Sequence, residues 1–364
     1  MKRKLRLGFP VPAAAAAGFL GLLLWPAEAA QAAGSAVQMC LSRLLPAVFP
    51  YLVLSGVVVG MGWIRAAQRV FAPVMRRLFG LPGVCAEPFL LGLVGGYPVG
   101  ARSAMALYAA GRCTKREAER LLAFCNCSGP AFLLGAVGAG LFGDRRAGLV
   151  FLAVHALAAV CTGMIFRLFF SSGKIREDPP AGYCAPAPRF SAVFASAVSG
   201  AVRACAAICG FVLFFAVVSA LLDACGLLPA LISFLSGRFS LPPKNVRAFL
   251  LGSLELTAGL DALHAGAGSV GARMCLAAFL LGWGGFSVHG QTLALREDDS
   301  LSLRPYLPGK LTHGLISALL MRLFLTLTGF PIRTSAFEAE LSPHLFLLLP
   351  AAAAAICFFA KKRV

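Results

Sequence analysis

The feature that most constrains this chain is its series of long apolar runs, separated by short clusters of basic residues. Of the 364 residues, 59% are hydrophobic and only 13% are charged, whereas about a quarter of an ordinary soluble domain is charged. This is too few charged side chains to cover a soluble protein of this size. Most of the outer surface must therefore face lipid. The sequence therefore predicts an all-α polytopic membrane protein and excludes a soluble enzyme.

The net charge of +18 and the twelve cysteines do not change this interpretation. The bases lie between the apolar runs, where the positive-inside rule places them, so we expect a lipid bilayer and no nucleic acid as partner. Cys125 and Cys127 have no second pair of ligands at the spacing that a zinc site requires. We therefore expect no metal and no other cofactor, apart from a coupling Na⁺ or H⁺.

The apolar runs predict about eight full spans and two re-entrant hairpins. A basic start precedes the first run, which resembles a signal peptide but is favoured as a retained span. The broken runs 89–111 and 246–268 read as hairpins, and residues 64–80 read as an interfacial amphipathic helix. With two hairpins, both termini face the cytoplasm. The expected full spans are 7–25, 44–63, 121–142, 148–170, 204–224, 272–295, 310–330 and 344–360.

An internal repeat divides the chain into two halves. Without gaps, residues 78–92 and 238–252 share seven identities in fifteen positions, around Leu-Pro and Phe-Leu-Leu-Gly. By the span count the halves enter the membrane from opposite sides, which is the inverted-repeat plan of many secondary transporters. The alternative is that both halves merely share a lipid-driven composition. The predicted units are an N-terminal span and loop (1–40), a first gate-type repeat (41–170), a polar linker (171–189), a second repeat (190–330) and a C-terminal span (331–364).

The first half contains two breaks that predict a binding site. Irregular backbone at membrane depth must line a cavity or be buried in protein, because its N–H and C=O groups cannot stay unpaired in lipid. A half-helix starting near Pro98 would point its positive end inward, and Arg102 one turn later would attract an anion. Alternatively, Arg102 reaches a lipid headgroup. The candidate substrate-binding residues here are Gly96, Tyr97, Pro98, Gly100, Arg102, Asn126, Ser128 and Gly129.

The second half places acidic and polar residues in apolar segments. A carboxylate in lipid is expensive, so Glu255 is interpreted as carrying a coupling proton or sodium, together with Asp261. The alternative for Glu255 is a structural salt bridge with Arg102, and for His289 it is helix packing. Ser287 and His289 point in different directions on a helix, so no catalytic site is expected. The candidate substrate-binding residues of this half are Thr257, Ser287, His289 and Gln291.

Ordered motifs in these breaks resemble a known family. Gly95-Gly96-Tyr97-Pro98-Val99-Gly100-Ala101-Arg102 and Asn126-x-Ser128-Gly129-Pro130 resemble the nucleoside-recognition, or gate, domain. They are more closely similar to the YlbJ-type sporulation integral membrane proteins of endospore-forming bacteria. Gly252-x-x-Glu255-x-Thr257-x-Gly259 and Gly284-Gly285-x-Ser287-Val288-His289-x-Gln291 look like the matching signature of the second half. The resemblance covers roughly residues 40–330.

This resemblance implies a function. Gate domains are related to those of concentrative nucleoside transporters, and the sporulation members are implicated in moving dipicolinate across the outer forespore membrane. We therefore expect a secondary transporter of a small organic anion, most simply dipicolinate, in the cell membrane or the outer forespore membrane. The alternatives are a nucleoside carrier coupled to Na⁺ or H⁺, and a sporulation membrane scaffold that transports nothing. The sequence does not indicate the oligomeric state.

Overall fold

The computed structural model describes residues 10–169, 189–264, 269–296 and 301–330, and every regular element within them is helical. The helices before the linker are α1 (Pro10–Leu24), α2 (Pro26–Met39), α3 (Leu45–Gly60), α4 (Trp63–Val74), α5 (Ala86–Gly95), α6 (Val99–Ala109), α7 (Lys115–Cys125) and α8 (Arg145–Phe169). Those after it are α9 (Phe190–Ala224), α10 (Leu227–Phe239), α11 (Pro243–Leu254), α12 (Leu256–His264), α13 (Val270–Trp283), α14 (Gly285–Ala294) and α15 (Tyr306–Thr328). Wider π-helical turns cover Cys40–Leu44, Met75–Phe79 and Phe132–Leu141, and Gly83–Cys85 forms a 3₁₀ turn.

Within these ranges, five helical stretches are long and apolar enough to cross a membrane, or six if one pair bent by 104° counts as a single span. This confirms a multi-pass helical protein, while the expected total of eight stays a prediction. Of the expected spans, α1 is short, 121–142 is broken, and 344–360 lies outside the described residues. The five stretches are Pro26–Gly60, Arg145–Phe169, Phe190–Ala224, Val270–Ala294 and Tyr306–Thr328.

The N-terminal region differs from the sequence expectation. The residues between the first span and residue 40 were expected to form a loop, but α2 and a π-helical turn continue directly into α3 as one stretch of 35 residues. The segment Pro26–Met39 is rich in alanine, the strongest helix former, and it has proline at its first position. Its small side chains let α2 pack closely against α9. Helix propensity and packing therefore extend this element beyond the apolar run.

The two halves build their hairpins in the same way. Helix α5 packs against α6, and α11 packs against α12. In the first hairpin, a Cβ atom on Gly100 would lie only 2.8 Å from the Cα atom of Gly92. In the second, a Cβ atom on Gly259 would collide with Gly252, the residue that aligns with Gly92. Both hairpins thus close through a glycine–glycine contact that any side chain would block, as expected for a repeated unit.

The amphipathic segment before the first hairpin packs into a buried core. Phe79 stacks on Phe124 with ring centroids 4.9 Å apart, and Phe71 and Val74 of α4 pack on the same cluster. Two basic residues also hold this segment. Arg120 donates hydrogen bonds to the carbonyls of Phe79 and Gly80, and Arg167 donates to Leu78. These bases satisfy carbonyl groups that a helix end leaves free.

Parts of the predicted organisation lie outside the described residues. These are the basic start of the chain, the polar linker apart from Arg189, and the C-terminal span of 331–364.

Candidate transport site

Four breaks in the helical backbone meet near the centre of the protein. In the first half, a Cβ atom on Gly96 would lie 2.8 Å from the amide nitrogen of Gly129, so the two breaks of that half touch. In the second half, a Cβ atom on Gly285 would lie 3.0 Å from the carbonyl oxygen of Gly252. The hydroxyl of Tyr97 joins the halves by donating a hydrogen bond to the carbonyl of Leu281. The breaks follow α5, α7, α11 and α13.

A cavity of about 80 Å³ lies between these breaks. Its apolar wall includes Phe132, Ile208 and Val212, so a ligand there would contact both halves and α9. Gln291 is buried, and the Oε1 atom of its amide makes no hydrogen bond within the described part of the protein. Seven of the candidate residues line this cavity: Gly96, Tyr97, Gly129, Glu255, Thr257, Ser287 and Gln291.

Glu255 lies at the break between α11 and α12, where its carboxylate caps the following helix. Its Oε2 atom accepts hydrogen bonds from the hydroxyl of Thr257 and, at 2.7 Å, from the amide of Ala258. These donors are at the amino end of α12, which carries partial positive charge. The helix end therefore stabilises the buried carboxylate, in place of the salt bridge with Arg102 that was considered. Glu255 also borders a second, larger cavity of about 600 Å³ beside α2 and α9.

Arg102 and Asp261 lie away from the central cavity. Helix α6 buries Ala101 and Ala104 against the core, which turns the neighbouring Arg102 outward. Arg102 and Pro98 line a separate cavity of about 490 Å³ between α3, α6 and α9. Asp261 is exposed and forms an ion pair of 3.4 Å with exposed Arg43 at the edge of the larger cavity beside Glu255. Their roles in binding and coupling stay predictions.

The remaining candidates of the first half stabilise the breaks themselves. Gly100 forms the glycine contact of the hairpin, as described above. The Nδ2 atom of Asn126 donates to the hydroxyls of Thr292 (3.1 Å) and Tyr306 (3.2 Å). The backbone amide of Ser128 donates to Nε2 of His155 at 2.9 Å. Asn126 and Ser128 are therefore buried behind the cavity wall, where they fix the irregular chain after α7.

His289 belongs to the same buried network. Its Nδ1 atom lies 3.2 Å from the hydroxyl of Tyr306, and its ring packs edge-on against Trp283 with centroids 4.4 Å apart. This geometry matches the helix-packing alternative, and His289 is not among the residues that line the central cavity.

Sequence reasoning missed the buried face that α15 presents to the first half. Lys310, completely buried, donates a hydrogen bond of 2.8 Å to the carbonyl of Asn126, and its ammonium lies 5.0 Å from the ring centroid of Tyr97. His313 lies one turn later, with Nε2 3.0 Å from the carbonyl of His155. The sequence does contain a signal for this face, because Lys310 is followed three positions later by a histidine. At that spacing both side chains lie on one face of a helix.

Cys127, His155 and His313 form a cluster whose donor atoms lie within 4.8 Å of one another, close enough to hold a metal ion. Their hydrogen bonds argue for a packed core instead. Nε2 of His155 accepts from Ser128, which leaves the proton on Nδ1, and the thiol of Cys127 lies 3.4 Å from the carbonyl of Phe124. Three donors are also one fewer than a structural zinc site uses. The cluster therefore fits a metal poorly.

Comparison with known proteins agrees with the motifs in these breaks. Residues 41–170 match the Gate family, described as nucleoside recognition. The chain is also 25% identical to the sporulation integral membrane protein YlbJ of Bacillus subtilis (strain 168), over 82% of this chain and 78% of that protein. The resemblance inferred from the motifs is thereby confirmed.

Two solved structures of CNTnw, a concentrative nucleoside transporter, have a similar fold. A variant of CNTnw in an intermediate state matches with a TM-score of 0.51 and 15% identity, over 89% of this chain and 86% of that chain. CNTnw in an inward-facing substrate-bound state matches with a TM-score of 0.50 and 13% identity, over 89% and 85%. The chain is thus an integral, multi-pass membrane protein with a transporter-like fold.

Proposed function

We propose that this protein is a secondary transporter whose substrate binds in the central cavity between the two halves. The observation that supports this most is the convergence of four helix breaks, two from each half, on one cavity. Broken helices at membrane depth expose backbone groups that intact helices would pair, and transporters use such groups to bind substrate. The proposal includes the inverted arrangement of the halves, which lets one site open alternately to the two sides.

The proposed substrate is a small organic anion, and during endospore formation it is dipicolinate. The sporulation relative supports the biological setting, and the aromatic walls of Tyr51, Tyr97 and Phe132 suit a flat ring. The NH2 group of the Gln291 amide and the hydroxyl of Ser287, both in the lining of this cavity, can donate hydrogen bonds to carboxylates. Glu255 would repel an anion unless it is protonated or holds a cation, which gives the transporter a means of coupling to H⁺ or Na⁺.

The location follows from the same proposal. A carrier that moves a mother-cell product into the forespore belongs in the outer forespore membrane, with the cell membrane as the alternative. We further propose that both termini face the cytoplasm.

A nucleoside carrier is the second candidate, and the charge of the cavity favours it. Among the described residues that line the central cavity, Glu255 is the only charged side chain. A neutral nucleoside would meet no repulsion from it, and the fold match is to a nucleoside transporter. A scaffold without transport is less well supported, because tightly packed breaks would leave no cavity between them.

A binding panel separates these candidates. Purified protein is titrated with dipicolinate, uridine and citrate, and Gln291→Leu is compared with Gln31→Leu, which replaces an exposed glutamine of α2. We expect dipicolinate to bind, and Gln291→Leu to weaken it about tenfold, the effect of losing roughly one hydrogen bond in a buried site. Gln31→Leu should bind as the wild type does.

Each other result has a defined meaning. If uridine binds and dipicolinate does not, the proposed substrate is a nucleoside and not an organic anion. Binding of none of the three, with uptake absent in proteoliposomes, would favour the scaffold. An unchanged affinity in Gln291→Leu would move the substrate out of the central cavity.

A further inference from the structure

Lys310 is a buried cationic residue that the proposed transport mechanism does not yet use. It lies within the fifth candidate span and has no exposed surface. In the part of the chain that the structure describes, its ammonium pairs with no carboxylate, and its hydrogen bond goes to the carbonyl of Asn126. A charge inside a membrane is costly and is usually retained because it has a function. Its position therefore requires an explanation.

The partners of this ammonium are groups that attract cations. Helix α7 ends at Cys125, so Asn126 belongs to the carbonyl end of a broken helix, which carries partial negative charge. The Oδ1 atom of Asn126 is also buried and accepts no hydrogen bond among the described residues. The face of the Tyr97 ring lies on another side of the ammonium, at a distance suited to a cation–π contact. The unwound carbonyl ends of transporter helices commonly bind a coupling cation.

The packing of α15 delivers the lysine to this position. A Cβ atom on Gly309 would lie 2.6 Å from the Cα atom of Ala123, so only glycine lets α15 approach α7 this closely. Tyr306, one turn before Lys310, bonds to the side chain of Asn126. The approach of the helices and the hydrogen bond of Tyr306 both direct the lysine side chain at the end of α7. The ammonium is thus placed by the fold and does not arrive from solution.

We propose that the ammonium of Lys310 is a tethered replacement for a monovalent coupling cation at the break after α7. The first half therefore binds no external Na⁺ at this break, and coupling is left to Glu255 in the second half. The inference rests on the proposed transport function, but it concerns the occupancy of one carbonyl site and not the identity of the substrate. It predicts that removing the amine creates a sodium site that the wild type lacks.

Thermal unfolding of purified full-length protein tests this without any substrate. Wild type, Lys310→Ala and Lys310→Met are each melted in sodium chloride and in choline chloride of equal ionic strength. In Lys310→Ala we expect sodium to raise the Tm by about 3 °C more than it does in the wild type, because a bound ion stabilises the folded state. Lys310→Met should not gain this response, since its side chain fills the space without a charge.

Several outcomes would overturn the proposal. The same sodium response in Lys310→Ala and wild type would show that no cation site was vacated. An equal gain in Lys310→Met would place the new ion elsewhere. Lys244→Ala, which removes an exposed lysine, serves as the control and should match the wild type. If Lys310→Ala does not fold, Lys310→Ser takes its place with the same expectation, because its hydroxyl can itself bind sodium.

The result is independent of the binding panel. A sodium response gained in Lys310→Ala would support the tethered cation even if uridine, and not dipicolinate, proved to be the ligand. Dipicolinate binding together with an unchanged sodium response would leave the proposed function in place and remove only the role of Lys310.

Discussion

The breaks of the two halves share a backbone plan but carry opposite charges. In the first half, the ammonium of Lys310 binds the carbonyl end of α7 at Asn126. In the second half, the carboxylate of Glu255 binds the amide end of α12 at Ala258. Each charge therefore lies at the helix end of complementary polarity. The hairpins of both halves close through a similar glycine contact, so their geometry is alike while the charges at the breaks differ.

This difference shows how a membrane protein can hold two buried charges without an ion pair between them. Glu255 is stabilised within its own half, whereas Lys310, which belongs to the second half, is stabilised by groups of the first. Glu255 lies in the wall of the cavity, while Lys310 lies behind the ring of Tyr97. A relative movement of the halves would break no salt bridge between these two residues, but it would break the hydrogen bond from Lys310 to Asn126. The comparison also assigns different tasks, because only the charge in the cavity wall can respond directly to a substrate.

The largest effect is expected in a test of which side of the membrane each half faces. Its outcome is all or none, and it decides whether the two halves are inverted. If the repeat is inverted, residues 112–120 face the cytoplasm and residues 236–247 face the opposite side. In a background without other reactive cysteines, Arg116→Cys and Lys244→Cys are labelled with a membrane-impermeant thiol reagent, in sealed vesicles of known orientation. Both positions are exposed, so each should react from one side only, and the two sides should differ.

Cys225 is exposed and must be replaced before this labelling. Reaction of both introduced cysteines from the same side would contradict the inverted repeat. The similarity of the hairpins would then reflect a parallel duplication, and alternate opening of one site would need a different explanation.

A smaller effect is expected when the charge of the second half is removed. Glu255→Gln keeps an oxygen that can accept from Ala258, but it carries no titratable proton and no charge for a cation. Uptake driven by an imposed ion gradient should fall about tenfold or more, while the Kd for dipicolinate should change less than about threefold. Uptake in proteoliposomes and binding to the purified protein are measured on the same preparation.

Glu28→Gln provides the matched control, because it neutralises an exposed carboxylate in the first turn of α2. It should leave both quantities unchanged. If Glu255→Gln retained full gradient-driven uptake, Glu255 would be only a helix cap, and the difference between the halves would have no role in coupling.

Sequence reasoning located the breaks because their physical cause is local. Glycine and proline interrupt helices wherever they fall in an apolar run, so the segments around Gly96, Gly129, Glu255 and Gly284 could be identified without a structure. The polar residues next to these breaks had to line a cavity or be buried, and seven of the fourteen candidates do line the central cavity. The sequence thus identified residues that meet at one cavity, and their roles in binding stay predictions.

The rest depends on packing between distant segments, which spacing does not reveal. The contact of Lys310 with Asn126 joins residues 184 positions apart, and the segment that begins at residue 310 read simply as an apolar span. Arg102 was placed in the cavity because it follows Pro98 by one turn, but the rotation of α6 is set by Ala101 and Ala104 in the core. Helix α2 was missed because alanine contributes little hydropathy although it strongly favours a helix.

The smallest effect is expected for Arg102. It sharpens the comparison by testing which cation near the breaks of the first half matters, Arg102 or Lys310. If its guanidinium bound a carboxylate of the substrate, removing it would lower the affinity about ten- to a hundredfold. The structure instead leaves Arg102 exposed and outside the central cavity. An exposed charge contributes about 1 kcal/mol at most. Arg102→Ala should therefore lower dipicolinate affinity less than about fivefold, and Arg102→Lys, which retains the charge, should restore it. Equilibrium binding on both variants checks this, and a loss of tenfold or more that lysine cannot restore would return Arg102 to the substrate site.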